Sequence, residues 1–133
     1  KVLKQILEHD IKNIRLCGMN FVYLLDILNQ NSIDELKIIN PDPWHKKRHF
    51  KRRLLNLENI IKIIGIVKNK YASYITTDSE SYFNYINEIF SSNSKIIHEN
   101  KNKILSKNDR LYGVSRYQRK AIKNGKKIYQ LTF

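Results

Sequence analysis

Between Asn40 and Arg53 the sequence reads NPDPWHKKRHFKRR, the stretch with the densest potential chemistry in the chain. One acid, Asp42, stands between Pro41 and Pro43. Proline locks φ and lacks an N–H, so this turn can neither continue a helix nor donate in a sheet ladder. It is a rigid mount for a carboxylate. Trp44 follows, and the next nine residues, His45 to Arg53, include six Lys or Arg. Such a run can hold a nucleic-acid backbone: each phosphate contact gains free energy by releasing a counterion, and arginine adds bidentate geometry. The bland alternatives are a turn-capping Asp42, a Trp44 that anchors the loop rather than stacking on a base, and solvated charges along the run.

The elements around this string must place it. Glu35–Asn40 predicts a buried strand, ended by Pro41 and Pro43. Asp42 to Arg53 then reads as a polar loop. Leu54 to Val67 is the strongest helical signal, with Leu54, Leu57, Ile61 and Ile64 on one face. Upstream, Asn13–Cys17 alternates and predicts a short strand, and Phe21–Leu28 predicts a helix with Asn20 as its N-cap. Downstream, Tyr71–Thr77 predicts a strand and Ser79–Ile89 a helix capped by Asp78 or Ser79. Ile96–His98 fits a further strand, and Asn100–Tyr112 a flexible loop. Val114–Asn124 predicts a helix stopped by Gly125, and Lys127–Phe133 a final strand. Strands alternating with helices argue for an α/β layered fold with a largely parallel sheet. In such sheets ligands bind beyond the strand C-termini. Gly18–Asn20, Asp42–Trp44 and Thr76–Asp78 all fall at such ends.

Composition bounds the function. The chain has 133 residues and a net charge of +13, enough for one domain. The charge is uneven. Residues 1–41 are neutral, 42–70 carry +7, 71–100 carry −3 and 101–133 carry +9. Two basic blocks on a neutral scaffold are what a polyanion-binding surface requires. The single Cys17 forms no internal disulfide and has no zinc partners, so a reducing, cytoplasmic setting is the default. No apolar run is long enough for a membrane span. No constellation supports a metal site or Ser/His/Asp or Cys/His catalysis, and Cys17, His49 and His98 read as structural or solvated. The opening helical pattern at Val2, Leu3, Ile6 and Leu7 starts in mid-stride, so residues upstream are expected.

The string PDPWHKKRHFKRR resembles the signature of the bacterial tRNA (guanine-N7)-methyltransferase family. Leu16–Asn20 is similar to that family's third strand and cofactor-contacting turn, and Thr76–Asp78 to its Thr-Asp element. Ser115-Arg116-Tyr117-Gln118 with the final KIYQLTF is similar to its C-terminal box and last strand. The resemblance covers the whole chain. It implies a Rossmann-like, S-adenosylmethionine-dependent methyltransferase sheet whose last strand runs antiparallel, with tRNA as partner. It also implies roles: Asp42 as the catalytic and cofactor-adjacent acid, and Asn20 on the cofactor's adenine. Lys46, Asp78, Ser115, Arg116, Tyr117 and Gln118 would contact substrate, and Arg48, His49, Phe50, Lys51, Arg52 and Arg53 would contact RNA. Guanine N7 loses no proton on methylation, so positioning is expected to outweigh base catalysis. Asp42 would accept from guanine N1–H and N2–H together.

Two departures stand out. The family's glycine-rich cofactor loop and the acid after its second strand are not in this chain, so this span alone is expected to bind S-adenosylmethionine poorly. Gln118 also stands where the family keeps Glu. A fragment of an active enzyme and a catalytically inactive tRNA-binding remnant both fit these facts.

Overall fold

Isoleucine and aromatic side chains organise the structure, a computed structural model that describes residues 2–68, 72–93 and 101–133. The elements in chain order are α1 (Val2–Glu8), α2 (Phe21–Ile27), β1 (Lys37–Ile39), a 3-10 helix (Lys47–Arg52), α3 (Leu57–Ile66), β2 (Tyr74–Thr77), α4 (Glu80–Ser92), β3 (Lys101–Ile104), α5 (Arg116–Lys123) and β4 (Tyr129–Thr132). The strands form one sheet in the order β1-β2-β4-β3. β1 and β2 are parallel, whereas β4 runs antiparallel to both β2 and β3. This is an α/β fold with an antiparallel last strand. Its described sheet is mixed rather than largely parallel.

Register decides which side chains share a face. Ile38 lies opposite Ile75, and Ile75 opposite Leu131. These three join Ile60, Ile63 and Ile66 of α3 and Tyr82, Ile86 and Phe90 of α4 in the main core. Thr76 and Gln130 point to the other face. There Leu105, Ala121 and Ile128 form a second, smaller core beneath α5. The acceptor at the end of β2 and the cap of α5 therefore meet on one side of the sheet, at the C-terminal end of β1.

Most expected elements form with shifted ends, α3 and α5 shorter than expected and α4 running three residues past Ile89 to Ser92. α3 starts at Leu57 because the Asn56 side chain accepts from Asn59 N at 2.9 Å. α4 starts after Ser79, which takes the N-cap position, while Asp78 instead pairs with Lys126 at 2.9 Å. α5 ends in a Schellman motif: Gly125, at φ +72°, donates to Ile122 O, and Lys126 N donates to Ala121 O. Three expectations fail. Asn13–Cys17 is not a strand: no neighbouring strand runs beside it among the described residues, and Ile14 and Leu16 stay exposed. Asn100–Tyr112 is not all loop, since Lys101–Ile104 is an edge strand. Its side chains are exposed on both faces, so it shows no hydrophobic alternation, and lysines on an edge discourage further pairing. Asp42–Arg53 likewise contains the 3-10 helix. The expected strand Ile96–His98 lies outside the described residues.

The turn after β3 is held by Asp109, whose carboxylate accepts from Ser106 N and Oγ and pairs with Lys103. The ammonium of Lys103, followed by the Ser106 donors, lowers the Asp109 carboxyl to about 2. A carboxyl depressed from its usual value of about 4 stabilises the fold fully above that pH and loses the effect as pH falls toward 2. Asp109→Asn should therefore lower the melting temperature at pH 7, and the gap from the parent should close between pH 4 and 2. Calorimetry across that range checks this.

Candidate functional site

The site begins where β1 ends. Asn40 N donates to Thr76 O at 2.8 Å, which extends the parallel ladder by one rung before the chain turns away. Asn40 has φ +50° and Trp44 φ +44°, so two left-handed residues bracket Pro41-Asp42-Pro43. Asparagine tolerates this region; tryptophan does so only when its surroundings hold it there. Three contacts do. Asp42 Oδ1 accepts from Trp44 N at 3.1 Å, Arg53 Nε donates to Pro43 O at 2.9 Å, and Asn40 Nδ2 donates to Ser115 Oγ at 3.2 Å. Asp42 is exposed, and its second carboxylate oxygen makes no hydrogen bond among the described residues.

The basic run is ordered by helical geometry. With three residues per turn, side chains three apart eclipse in a 3-10 helix. His49 and Arg52 share the edge that faces Trp44: the His49 ring meets the indole edge-on at 5.6 Å, and the Arg52 guanidinium lies 5.1 Å over it. Arg48 and Lys51 share a second edge, and both are exposed. Lys47, Phe50 and Arg53 fall on the third, where Lys47 and Phe50 stay exposed and Arg53 turns inward. Arg53 is only 3% exposed. Lys46, just before the helix, is exposed. Trp44 is half-buried, so it anchors the turn and still shows one side to solvent.

Beside the turn stands the N-terminus of α5. Ser115 Oγ accepts from Gln118 N, and Gln118 Oε1 accepts from Ser115 N, both at 3.0 Å, a reciprocal capping box. The amide nitrogen of Gln118 donates to Thr76 Oγ1 at 3.2 Å, and the residue is 1% exposed. This bond uses the amide's donor, which a Glu at this position would lack. Arg116 and Tyr117 project outward, Tyr117 77% exposed. Asp78 is half-buried beside Lys126.

Asn20 lies across an open cleft of about 490 Å³, whose wall it shares with Phe21, Lys51, Arg52, Arg53 and Asn56. Its Oδ1 caps α2 by accepting from Val22 N at 3.0 Å. The structure thus joins Asp42, Ser115 and Gln118 through Asn40 and Thr76, and places Asn20 and the basic run around one cleft. Among the described residues no three His, Cys, Asp or Glu gather closely enough to hold a metal ion. No described helix is long and apolar enough to cross a membrane.

A family model described as "Putative methyltransferase" matches residues 1–131. The chain belongs to this methyltransferase family. A tRNA (guanine-N(7)-)-methyltransferase of Legionella pneumophila (strain Paris) is 30% identical over 127 residues, 95% of this chain and 54% of that protein. One from Neisseria meningitidis serogroup C is 38% identical over 92 residues, 68% of this chain and 39% of its own length. A bifunctional methyltransferase of Rickettsia felis is 34% identical over 122 residues, 92% of this chain and 23% of its own. The chain spans about half the length of these methyltransferases or less.

Two residues of this candidate site were not singled out from sequence. Asn40 had a readable signal, an Asn at a strand end before proline, the kind of residue that accepts a left-handed backbone. Tyr82 had none. It is fully buried, and its hydroxyl accepts from Leu55 N at 3.1 Å. Burial pushes that hydroxyl up to about 12.

Ser115→Ala removes an N-cap and leaves the Asn40 amide without its acceptor. It should cost about 1–2 kcal/mol in urea denaturation. Combined with Asn40→Gly, which keeps the left-handed turn, the loss should fall short of the two single losses added together.

Proposed function

We propose that the protein transfers a methyl group from S-adenosylmethionine to N7 of a guanine in the variable loop of tRNA. The observation that carries this reading is the arrangement at the β1 end. An exposed carboxylate sits on a rigid turn, flanked by the exposed cations of Lys46, Arg48, Lys51 and Arg52. The names of the Legionella and Neisseria relatives support the same substrate.

Guanine N7 carries its own lone pair, so the residues have no proton to remove. Their work is orientation, which can supply most of a rate enhancement of this kind. Asp42, with one oxygen tied to Trp44 N and the other unbound, presents an acceptor to guanine N1–H and N2–H. Lys46, Asp78, Ser115, Arg116 and Tyr117 surround the base and its nucleotide. Gln118, buried behind them, keeps Ser115 in place. Arg48, His49, Phe50, Lys51 and Arg52 meet the RNA backbone on the outer edges of the 3-10 helix.

Asn20 suits the adenine end of the cofactor. It is exposed on the cleft wall, and after capping α2 its amide keeps both N–H donors. Asp42, whose second carboxylate oxygen has no hydrogen bond among the described residues, suits a cationic group. S-adenosylmethionine would supply an electrophilic methyl on a positively charged sulfur. tRNA as partner makes the cytoplasm the natural setting.

Labelled S-adenosylmethionine and unmodified tRNA test the reading directly. Label at one variable-loop guanine is expected; tRNA bound without any transfer would leave only a binding remnant. Asp42→Ala should abolish transfer and leave tRNA affinity within about twofold. Replacing Lys51 and Arg52 by Ala should weaken binding and flatten the slope of log K against log salt by roughly 1 to 2.

A further inference from the structure

Arg53 closes the basic run, yet it does not share the run's environment. Lys51 and Arg52 are exposed, whereas Arg53 is 3% exposed. Its guanidinium carbon lies 3.6 Å from the Phe50 ring centre and 4.8 Å from those of Tyr82 and Tyr85. All three are within cation–π range. No carboxylate pairs with it among the described residues. Taking a cation out of water without an anion is costly, so the site must use it for something a neutral side chain would not provide.

The position of its side-chain hydrogen bond shows what. Arg53 Nε donates to Pro43 O, and Asp42 Oδ1 accepts from Trp44 N. That carbonyl and that N–H belong to one peptide group, the bond between Pro43 and Trp44. A peptide group is planar and rotates as a unit. Holding its carbonyl therefore fixes where its N–H points, and the N–H fixes one oxygen of Asp42. The same plane leads into Trp44 at φ +44°, a conformation that relaxes unless restrained.

We propose that Arg53 is a positioning residue for Asp42, acting through the Pro43–Trp44 peptide plane, and not a phosphate contact. The aromatic cage from α4 and the 3-10 helix sets the guanidinium, the guanidinium sets the peptide plane, and the plane sets the carboxylate. Lysine cannot replace it. An ammonium lacks a donor at the Nε position and the flat surface that lies against three rings. This role rests on the methyltransferase reading only for its effect on turnover; the mechanical part stands without it.

Trp44 is the only tryptophan in the sequence, so its fluorescence reports on this turn alone. Three variants of the full chain decide the matter: Arg53→Lys, Tyr85→Leu, which trims the cage without touching Arg53, and Lys51→Ala as an exposed comparison. Arg53→Lys should raise acrylamide quenching of Trp44 about twofold and leave tRNA affinity and its salt slope unchanged, while kcat falls by about 100-fold at constant KM for tRNA. Tyr85→Leu should move the same readings in the same direction by less. Lys51→Ala should weaken tRNA binding without altering Trp44. Unchanged quenching in Arg53→Lys, with tRNA affinity lowered by the loss of bidentate geometry, would make Arg53 a phosphate contact and overturn the proposal. So would a Tyr85→Leu protein whose Trp44 matches the parent. Quenching and binding are read without methyl transfer, so a protein that transfers nothing still decides the role of Arg53.

Discussion

Everything near the site hangs on one strained turn. Two non-glycine residues in left-handed backbone conformations, Asn40 and Trp44, stand at its two ends. Each costs on the order of 1 kcal/mol against an ordinary conformation. Proline on either side of Asp42 removes the freedom that would let the chain relax. The strain persists because four separate elements hold the turn. Thr76 of β2 takes the Asn40 N–H, Ser115 at the head of α5 takes its side chain, and the 3-10 helix sends Arg53 to Pro43. Helix α4 supplies Tyr82 and Tyr85, on which Arg53 rests. Tyr82 also accepts from Leu55 N just before α3, so the segment that places Arg53 is itself tied to α4. Loss of any one holder therefore loosens the others.

What the sequence made legible follows from which forces act locally. α2 could be read with its cap, because Asn20 bonds the backbone two residues on; α3 and α5 were read from their patterns, and their caps Asn56 and Ser115 start them two or three residues later than expected. Gly125 likewise announced its Schellman turn. The strands that were misjudged depend on partners far along the chain. Lys101–Ile104 pairs with Tyr129–Thr132 in the backbone ladder, and its exposed side chains show no alternation that would record that pairing. Asn13–Cys17 has the alternating pattern and lacks a described neighbour, so the same rule erred in the opposite sense.

The site was legible to the same degree. The PDPW turn and the basic run are contiguous, and a contiguous motif survives without structure. The Gln118–Thr76 bond joins residues 42 apart, and the Asn40–Ser115 bond residues 75 apart. Neither has a signature at either end. Gln118 shows how this matters. From sequence it is a lost charge; in the fold its amide donates to Thr76 while its oxygen closes the cap of α5. A buried carboxylate could accept from Ser115 but could not donate to Thr76, and it would need its charge compensated. The amide therefore fits the two partners it has, an acceptor in Thr76 and a donor in Ser115.

Arg53 carries the same lesson for charge. A run of basic residues looks uniform in sequence because composition ignores direction. A 3-10 helix spreads consecutive side chains over three edges, so one residue in three must face inward when the helix lies on a core. Here Arg53 alone of the run's cations faces inward, and solvent can reach the others. Polyanion binding draws on the outward charges alone, because counterions condense on a phosphate backbone and are released by cations that can approach it. A basic run's net charge thus overstates its electrostatic grip by the number of residues its helix buries. In this chain the inward arginine rests against three rings, and the outward ones face solvent.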